Sequence, residues 1–358
     1  MKHSKEDILD VLNSQKKDIV KYMSQIPENR EITYSKNVFI PLTEICKNDC
    51  GYCNFKKNPE DKGAIILKTK EEILEDLKKA EEYGCKEAMF AFGEDADSVD
   101  VVKERLSEFG YDNMIDYISD ICQMTLDETA LIPHTNGGNF SYDALEKLKK
   151  VNASMGMMLE NSSPRLMELE AHKRSPGKDP EIRLKTIANA GKLKIPYTTG
   201  LLIGIGENKE EIADSLLAIR KLYDDYGHIQ EVIIQNFTPT SEIEMSDWDE
   251  PTLLDMLRTV MAAKLVFEDT DVSIQVPPNL NYSTAQIFLL AGADDWGGVS
   301  PVSIDFVNPT SPWPGLEELE KLTNDAGYKL TERLCIYPKY CNEEWLNKEL
   351  LDKINDLP

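Results

Sequence analysis

No apolar run in this chain of 358 residues approaches the roughly 20 residues that a membrane span needs. Basic residues are few beside acidic ones, 40 against 64, which leaves a net charge of -24. That deficit argues against sequence-independent binding of nucleic acid, which relies on Lys and Arg to neutralise phosphates. It argues equally against an anionic membrane surface, and the acidic exterior reads as a solvating one. The opening Met1-Lys-His-Ser-Lys-Glu-Asp is charged and holds no signal-peptide core, so a cytoplasmic protein is expected. Histidine is scarce, four in all, and no HxxxH pair accompanies the seven cysteines. No linker or low-complexity tract interrupts the chain, so one domain over 1–358 is expected. Hydrophobic residues, 41% of the total, suffice for its core.

What the sequence does have is concentrated in Cys46-Lys-Asn-Asp-Cys50-Gly-Tyr-Cys53. The apolar run before it, 37–46, reads as a strand, so the three thiols occupy the loop at its C-terminal end. A structural zinc site would want four ligands, usually in two close pairs. The other cysteines (Cys85, Cys122, Cys335, Cys341) are scattered, apart from a C-terminal pair at x5 spacing. A disulfide framework is disfavoured because seven is odd and nothing marks secretion. Unrelated buried thiols would rarely crowd so closely beside Gly51 and Tyr52. Three thiolates on one loop can instead hold three irons of a cubane 4Fe–4S cluster, leaving the fourth iron open to a small molecule.

Residues 1–35 read as an amphipathic helical extension packed across one end of the fold. Thr69 caps a helix over 71–83 that Gly84 stops. Apolar runs then alternate with amphipathic helices at 88–93, 130–135, 153–160, 197–204, 231–237 and 272–276, and 293–300 leads into or forms an eighth strand. This alternation predicts an α/β fold, a complete or nearly complete (β/α)8 TIM-type barrel. The segment 315–358 closes it with helices and a loop containing Tyr, Pro and Cys. Chemistry in such barrels collects at the C-terminal ends of the strands. There stand Gly93 and Glu94, a glycine allowing close approach beside a hydrogen-bonding carboxylate. His134 is the only histidine in such a place, suited to holding substrate or relaying a proton. Glu160 can accept two hydrogen bonds from a ribose diol. Asn136, Gln235, Asn236 and Asn281 offer amides to a polar heterocycle or polyol. Trp296 offers a flat face and Ser300 a hydroxyl. For each, the ordinary alternative is a satisfied core or loop residue.

The CxxxCxxC spacing resembles the signature of radical S-adenosylmethionine (SAM) enzymes, in which SAM chelates the open iron and is split to a 5′-deoxyadenosyl radical. The resemblance implies further contacts to SAM. Phe92-Gly93-Glu94 partly matches a GGE-like motif, with Phe92 in place of the first glycine. Glu160, followed by Ser162, would hold the ribose, and Arg183 the carboxylate. Gly200 to Glu207 resembles a GxIxGxxE motif whose backbone at Gly204 and Ile205 lies against adenine, and Tyr52 joins them from the cysteine loop. The strings 171–178, 195–207 and 226–237 resemble, within that superfamily, the deazaflavin synthases, over about residues 36 to 310. That implies cyclisation of a tyrosine-derived ribityl-diaminouracil adduct to a deazaflavin, with release of ammonia, methionine and 5′-deoxyadenosine, and with His134 and Glu94 as catalytic candidates. It also implies a companion radical SAM subunit that supplies the adduct, and an electron donor such as ferredoxin or flavodoxin. The alternatives are a sister cofactor-maturation enzyme of the biotin-synthase or tyrosine-lyase type, and a non-catalytic iron–sulfur carrier, which would need a fourth ligand.

Overall fold

The computed structural model describes residues 2–26 and 31–357. Positions 1, 27–30 and 358, which belong to the expected N-terminal extension and C-terminal closing segment, lie outside the described residues.

The apolar runs become strands β1 (Glu31–Thr43), β2 (Glu87–Phe92), β3 (Ile132–Asn136), β4 (Ser154–Gly156), β5 (Tyr197–Ile203), β6 (Ile229–Asn236), β7 (Ser273–Gln275) and β8 (Asp295–Val299). They pair in parallel in chain order, and pairing of β1 with both β8 and β2 closes the ring. The eighth run is thus a strand, and the barrel is complete. Around it lie α1 (Lys5–Leu12), α2 (Lys16–Met23), α3 (Lys70–Glu82), α4 (Asp100–Glu108), α5 (Met114–Glu128), α6 (Tyr142–Leu148) and α7 (Pro180–Lys192), followed by α8 (Lys209–Tyr226), α9 (Leu253–Phe267), α10 (Ala285–Leu290), α11 (Leu316–Asp325) and α12 (Lys348–Asn355). A sheet covered on both faces needs apolar residues on both, and all seven residues of β5 are buried. Helix α3 begins as its sequence predicts. Thr69 Oγ1 accepts from Glu72 N–H and the Glu72 carboxylate accepts from Thr69 N–H, while Gly84 follows the last turn at φ +73°.

Two expectations need correction. The N-terminal helices do not lie across an end of the barrel; they pack along its outer helical layer, on α8 and α9. Lys5 pairs there with Glu210 and Asp214, and Arg258 on α9 donates to Ser14 O at 2.8 Å. Residues 31–35 are strand rather than helix, since Ile32 and Tyr34 alternate with polar neighbours at the period of two that a strand imposes. The tail likewise holds a ninth strand, β9 (Lys329–Arg333), paired in parallel with β1 over Glu31–Ser35. There β1 carries β9 on one edge, and further along β2, which pairs with it from Asn37 onward.

Burial leaves three histidines neutral. His228, just before β6, keeps Nε2 at 2.9 Å from Ile187 O, and burial lowers it to about 4; it lowers His134 and His172 to about 3. Below about pH 6.5 the unfolded chain takes up protons that these folded-state rings refuse, so stability falls with pH through the window from about 6.5 to 4, by up to roughly 1.4 kcal/mol per pH unit for each ring. The expected result in denaturant titrations is a larger loss between pH 7 and pH 5 for the native sequence than for His228→Gln. Equal losses would contradict a neutral, buried His228.

Candidate active site

The C-terminal ends of the strands surround a cavity of about 340 Å³ lined by Cys46, Cys50 and Cys53. All three are free, partly exposed thiols. Their loop is fixed from two directions. From β2, Gly93 N–H donates to Thr43 O at 3.1 Å and the Glu94 carbonyl accepts from Lys47 N–H at 3.0 Å. From the segment 170–178, Ala171 O accepts from Gly51 N–H at 3.1 Å and Ser175 Oγ from Asp49 N–H at 3.1 Å. Arg174 pairs with Asp49 at 2.7 Å, and Gly177 N–H donates to Asn48 Oδ1 at 2.9 Å. Burial, reinforced by Cys53 and Cys50, pushes the Cys46 thiol up to about 12, so taking iron there releases protons.

Among the described residues, no three His, Cys, Asp or Glu side chains converge where a single ion would sit. Zinc would require that convergence. A cubane does not, because its ligated irons occupy separate corners and its thiolates stand apart.

Two buried ion pairs flank the thiols. Arg183 donates through Nη1 to Glu94 Oε2 at 3.0 Å and to Gly177 O at 3.0 Å, and through Nε to Met158 O at 2.8 Å. Asn139 Nδ2 holds the other Glu94 oxygen at 2.8 Å. Arg183 Nη2 makes no hydrogen bond among the described residues, leaving part of the guanidinium fork free for a planar anion. Glu160, at φ 65°, pairs with Lys178 at 2.7 Å. Burial opposes its charge, yet Lys178 and Arg183 outweigh burial and hold the carboxyl below the usual range. Tyr52 sets its hydroxyl 3.3 Å from His172 Nε2.

Of the expected SAM contacts, Tyr52, Gly93, Glu94, Glu160 and Arg183 line the cavity, and Ser162, Gly204 and Ile205 do not. The Ser162 hydroxyl turns to Ser215 on α8, 3.0 Å away. The N–H groups of Gly204 and Ile205 donate to the Glu207 carboxylate at 2.7 and 2.9 Å, so that loop satisfies itself. Ile205 packs in a small satellite core with Leu166, Phe237 and Met245. The β5 residues that line the cavity are Thr198 and Leu202.

Of the expected substrate contacts, Asn136, Gln235 and Asn236 line the cavity, with Asn281 behind them donating to Asn236 Oδ1 at 2.8 Å. Trp296 also lines the cavity, but it is fully buried and its indole N–H is taken by Thr323 of α11 at 3.0 Å. Ser300 is occupied by its own loop, accepting from Ser303 Oγ–H at 2.7 Å. The two catalytic candidates are not together. Glu94 stands among the thiols and Arg183, whereas His134 lies deep in the barrel with Nδ1 2.7 Å from Ser154 Oγ.

Around His134 is a polar floor that sequence reasoning missed. Arg333 of β9 reaches into the barrel, with Nη2 2.7 Å from Glu231 Oε1 and Nε 2.6 Å from Asp295 Oδ2. Burial raises Glu231, Arg333 opposes that, and Asp295 adds to it. Glu231 carried a signal, a carboxylate inside an otherwise apolar strand. Lys178 and Asn139 were also missed; the pairing of Arg333 with a residue 102 positions away has no local signature.

A family model described as the radical SAM superfamily matches residues 40–219. A protein of Methanobrevibacter smithii named 7,8-didemethyl-8-hydroxy-5-deazariboflavin synthase is 73% identical over 334 residues, 93% of this chain and 98% of its own length. The protein of that name from Methanocaldococcus jannaschii is 52% identical over 358 residues, covering 99% of this chain and 98% of its own. This chain belongs to the radical SAM deazariboflavin synthases. The fold of this synthase family is shared more widely. The FeFe-hydrogenase maturase HydG of Carboxydothermus hydrogenoformans superposes with a TM-score of 0.72 at 16% identity, over 99% of this chain and 82% of that one. Methylornithine synthase does so at 0.67 and 19% identity, over 92% and 94%. The enzymes of the family use a 4Fe–4S cluster and SAM, and this chain does the same. Its three thiols, on one loop lining the cavity, suit the cluster, and the free edge of Arg183 with the Glu160 carboxylate suits SAM. Among the described residues no helix is long and apolar enough to cross a membrane.

Proposed function

We propose that this protein cyclises 5-amino-5-(4-hydroxybenzyl)-6-(D-ribitylimino)-5,6-dihydrouracil to 7,8-didemethyl-8-hydroxy-5-deazariboflavin, releasing ammonia, methionine and 5′-deoxyadenosine. The observation that carries this reading is one cavity lined by three thiols, two buried ion pairs and a polar floor, in a chain that matches deazariboflavin synthases almost from end to end. Cys46, Cys50 and Cys53 hold the cluster. Arg183 Nη2 orients the carboxylate of SAM, Glu160 accepts from its ribose, and Gly93 and Tyr52 bound the same space. When bound, cluster and SAM together supply a 5′-deoxyadenosyl radical that removes hydrogen from substrate. The chain's own part is positioning and exclusion of water: Phe39, Met89, Phe92 and Ile233 wall the cavity and keep it dry.

Glu94, already committed to Arg183 and Asn139, serves as a positioning group rather than a free base. His134, neutral and buried, serves as a hydrogen-bond acceptor to substrate. The adduct comes from a companion radical SAM subunit and the electron from a ferredoxin or flavodoxin. The protein works in the cytoplasm, and the whole of 1–358 acts as one domain.

The test is an anaerobic assay of reconstituted protein with SAM, a strong reductant and the adduct, following 5′-deoxyadenosine by chromatography and deazaflavin by fluorescence. Both products are expected, and Cys50→Ala should lose both, with its iron content falling. Deoxyadenosine without deazaflavin would remove the substrate assignment; neither product from iron-replete protein would remove the enzyme assignment.

A further inference from the structure

Four buried side chains from four different strands meet at the floor of the cavity, each with hydrogen-bonding capacity that the protein leaves unused. Asn37 of β1 is 2% exposed, and its Oδ1 has no partner among the described residues. His134 of β3 keeps one nitrogen for the cavity. Ser154 Oγ–H donates to Cys335 O at 2.7 Å, so His134 Nδ1 must carry the proton given to Ser154 Oγ, which leaves Nε2 as a bare acceptor. Glu231 of β6 accepts one bond from Arg333 and one from Thr198, leaving further lone pairs. Gln275 of β7 makes no side-chain hydrogen bond among the described residues. It turns inward over Gly297, where a Cβ would lie 2.1 Å from Gln275 Nε2. All four line the cavity.

Leaving a buried group such as Asn37 Oδ1 unsatisfied costs on the order of 1–3 kcal/mol, and with three more side chains of spare capacity lining the same space the floor suits a ligand that bonds them. The set is rich in acceptors, which asks for a ligand rich in O–H donors. A planar heterocycle presents adjacent donors in one plane, whereas these groups sit at separate points of the barrel's circumference. A ring also needs apolar faces against it, which two amides and a carboxylate do not offer. A flexible chain bearing several hydroxyls meets both demands.

We propose that the floor of the barrel is a polyol subsite, in which Asn37, His134, Glu231 and Gln275 receive the ribityl chain of the substrate and Arg333 holds Glu231 in place. This rests on the cyclase reading and adds the substrate's orientation: polyol down, fused rings toward the thiols.

The test uses reconstituted holoprotein and equilibrium dialysis with two ligands, the deazaflavin product and the same ring carrying a methyl group instead of the ribityl chain. Native protein should bind the ribityl compound more tightly; equal affinities would overturn the proposal without any variant. Gln275→Leu and Asn37→Leu should each lose on the order of 10-fold for the ribityl ligand, the effect of one hydrogen bond, and nothing for the methyl one. Gln275→Leu breaks no bond within the protein, so its melting temperature should hold while binding falls, a split that a structural role does not produce. Folded variants with equal losses for both ligands, or with none, would overturn the subsite. The cyclase reading fails elsewhere, in native protein that makes no deazaflavin from the adduct, and that failure leaves the comparison of the two ligands readable.

Discussion

Gly93→Ala is expected to yield protein with little iron and no cleavage of SAM. A Cβ built on Gly93 would stand 1.9 Å from Ile45 O, 2.5 Å from Ile45 C and 2.7 Å from Cys46 Cα. All three are backbone atoms, so no flexible side chain can swing aside. The methyl must push β2 away from the cysteine loop, yet Gly93 N–H and the Glu94 carbonyl tie the two together. Overpacking of a well-filled site costs about 1–3 kcal/mol, and here the displaced atom is the Cα of a proposed iron ligand. Iron per chain and 5′-deoxyadenosine formed per chain would measure the effect. Gly63→Ala provides the comparison: its backbone is left-handed at φ +82°, but no atom lies within 4 Å of the added methyl, so it should lose some stability and no iron. A full iron complement in Gly93→Ala would contradict the tight approach of strand and loop.

The second large effect is expected from Arg183→Met. Arg183, 3% exposed, serves the Glu94 carboxylate and the carbonyls of Met158 and Gly177 at once. Methionine fills much of the space, yet it strands a buried carboxylate and two carbonyls. Breaking a buried pair by removing one partner costs about 3–5 kcal/mol. Unfolding in denaturant should register a loss of that order, and equilibrium dialysis should register loss of SAM. Arg183→Lys should rescue little, because an ammonium cannot reproduce a fork with donors in three directions. The double variant Glu94→Gln/Arg183→Met should lose less stability than the sum of its parts, as contacting residues do. Strict additivity would mean that the two side chains do not depend on each other.

Much of this was legible in the sequence because it is local. The cysteine loop, the cap at Thr69, the stop at Gly84 and the strand alternation are written within windows of about ten residues. The direction of a side chain at a strand end is not. In a sheet buried on both faces, nothing local tells that the indole N–H of Trp296 is already taken by Thr323, 27 residues further on. Ser162 and Ser300 were misplaced for a related reason, since a short hydroxyl takes whatever partner its loop offers, here Ser215 and Ser303. Gly204 and Ile205 have the glycine-rich pattern of a backbone open to a ligand, but Glu207 lies close enough in sequence to reach back and use those N–H groups itself. The short run Lys329 to Arg333 is too polar to read as a strand until β1 offers it an edge.

That last strand makes the floor of the barrel depend on the tail. Glu231 and Asp295 belong to the sixth and eighth strands of the wall, and the guanidinium that neutralises both follows only at position 333. Without it, eight paired strands would enclose two carboxylates in an interior that solvates them poorly. A premature stop codon before Arg333 would cost this protein far more than the short tail it removes.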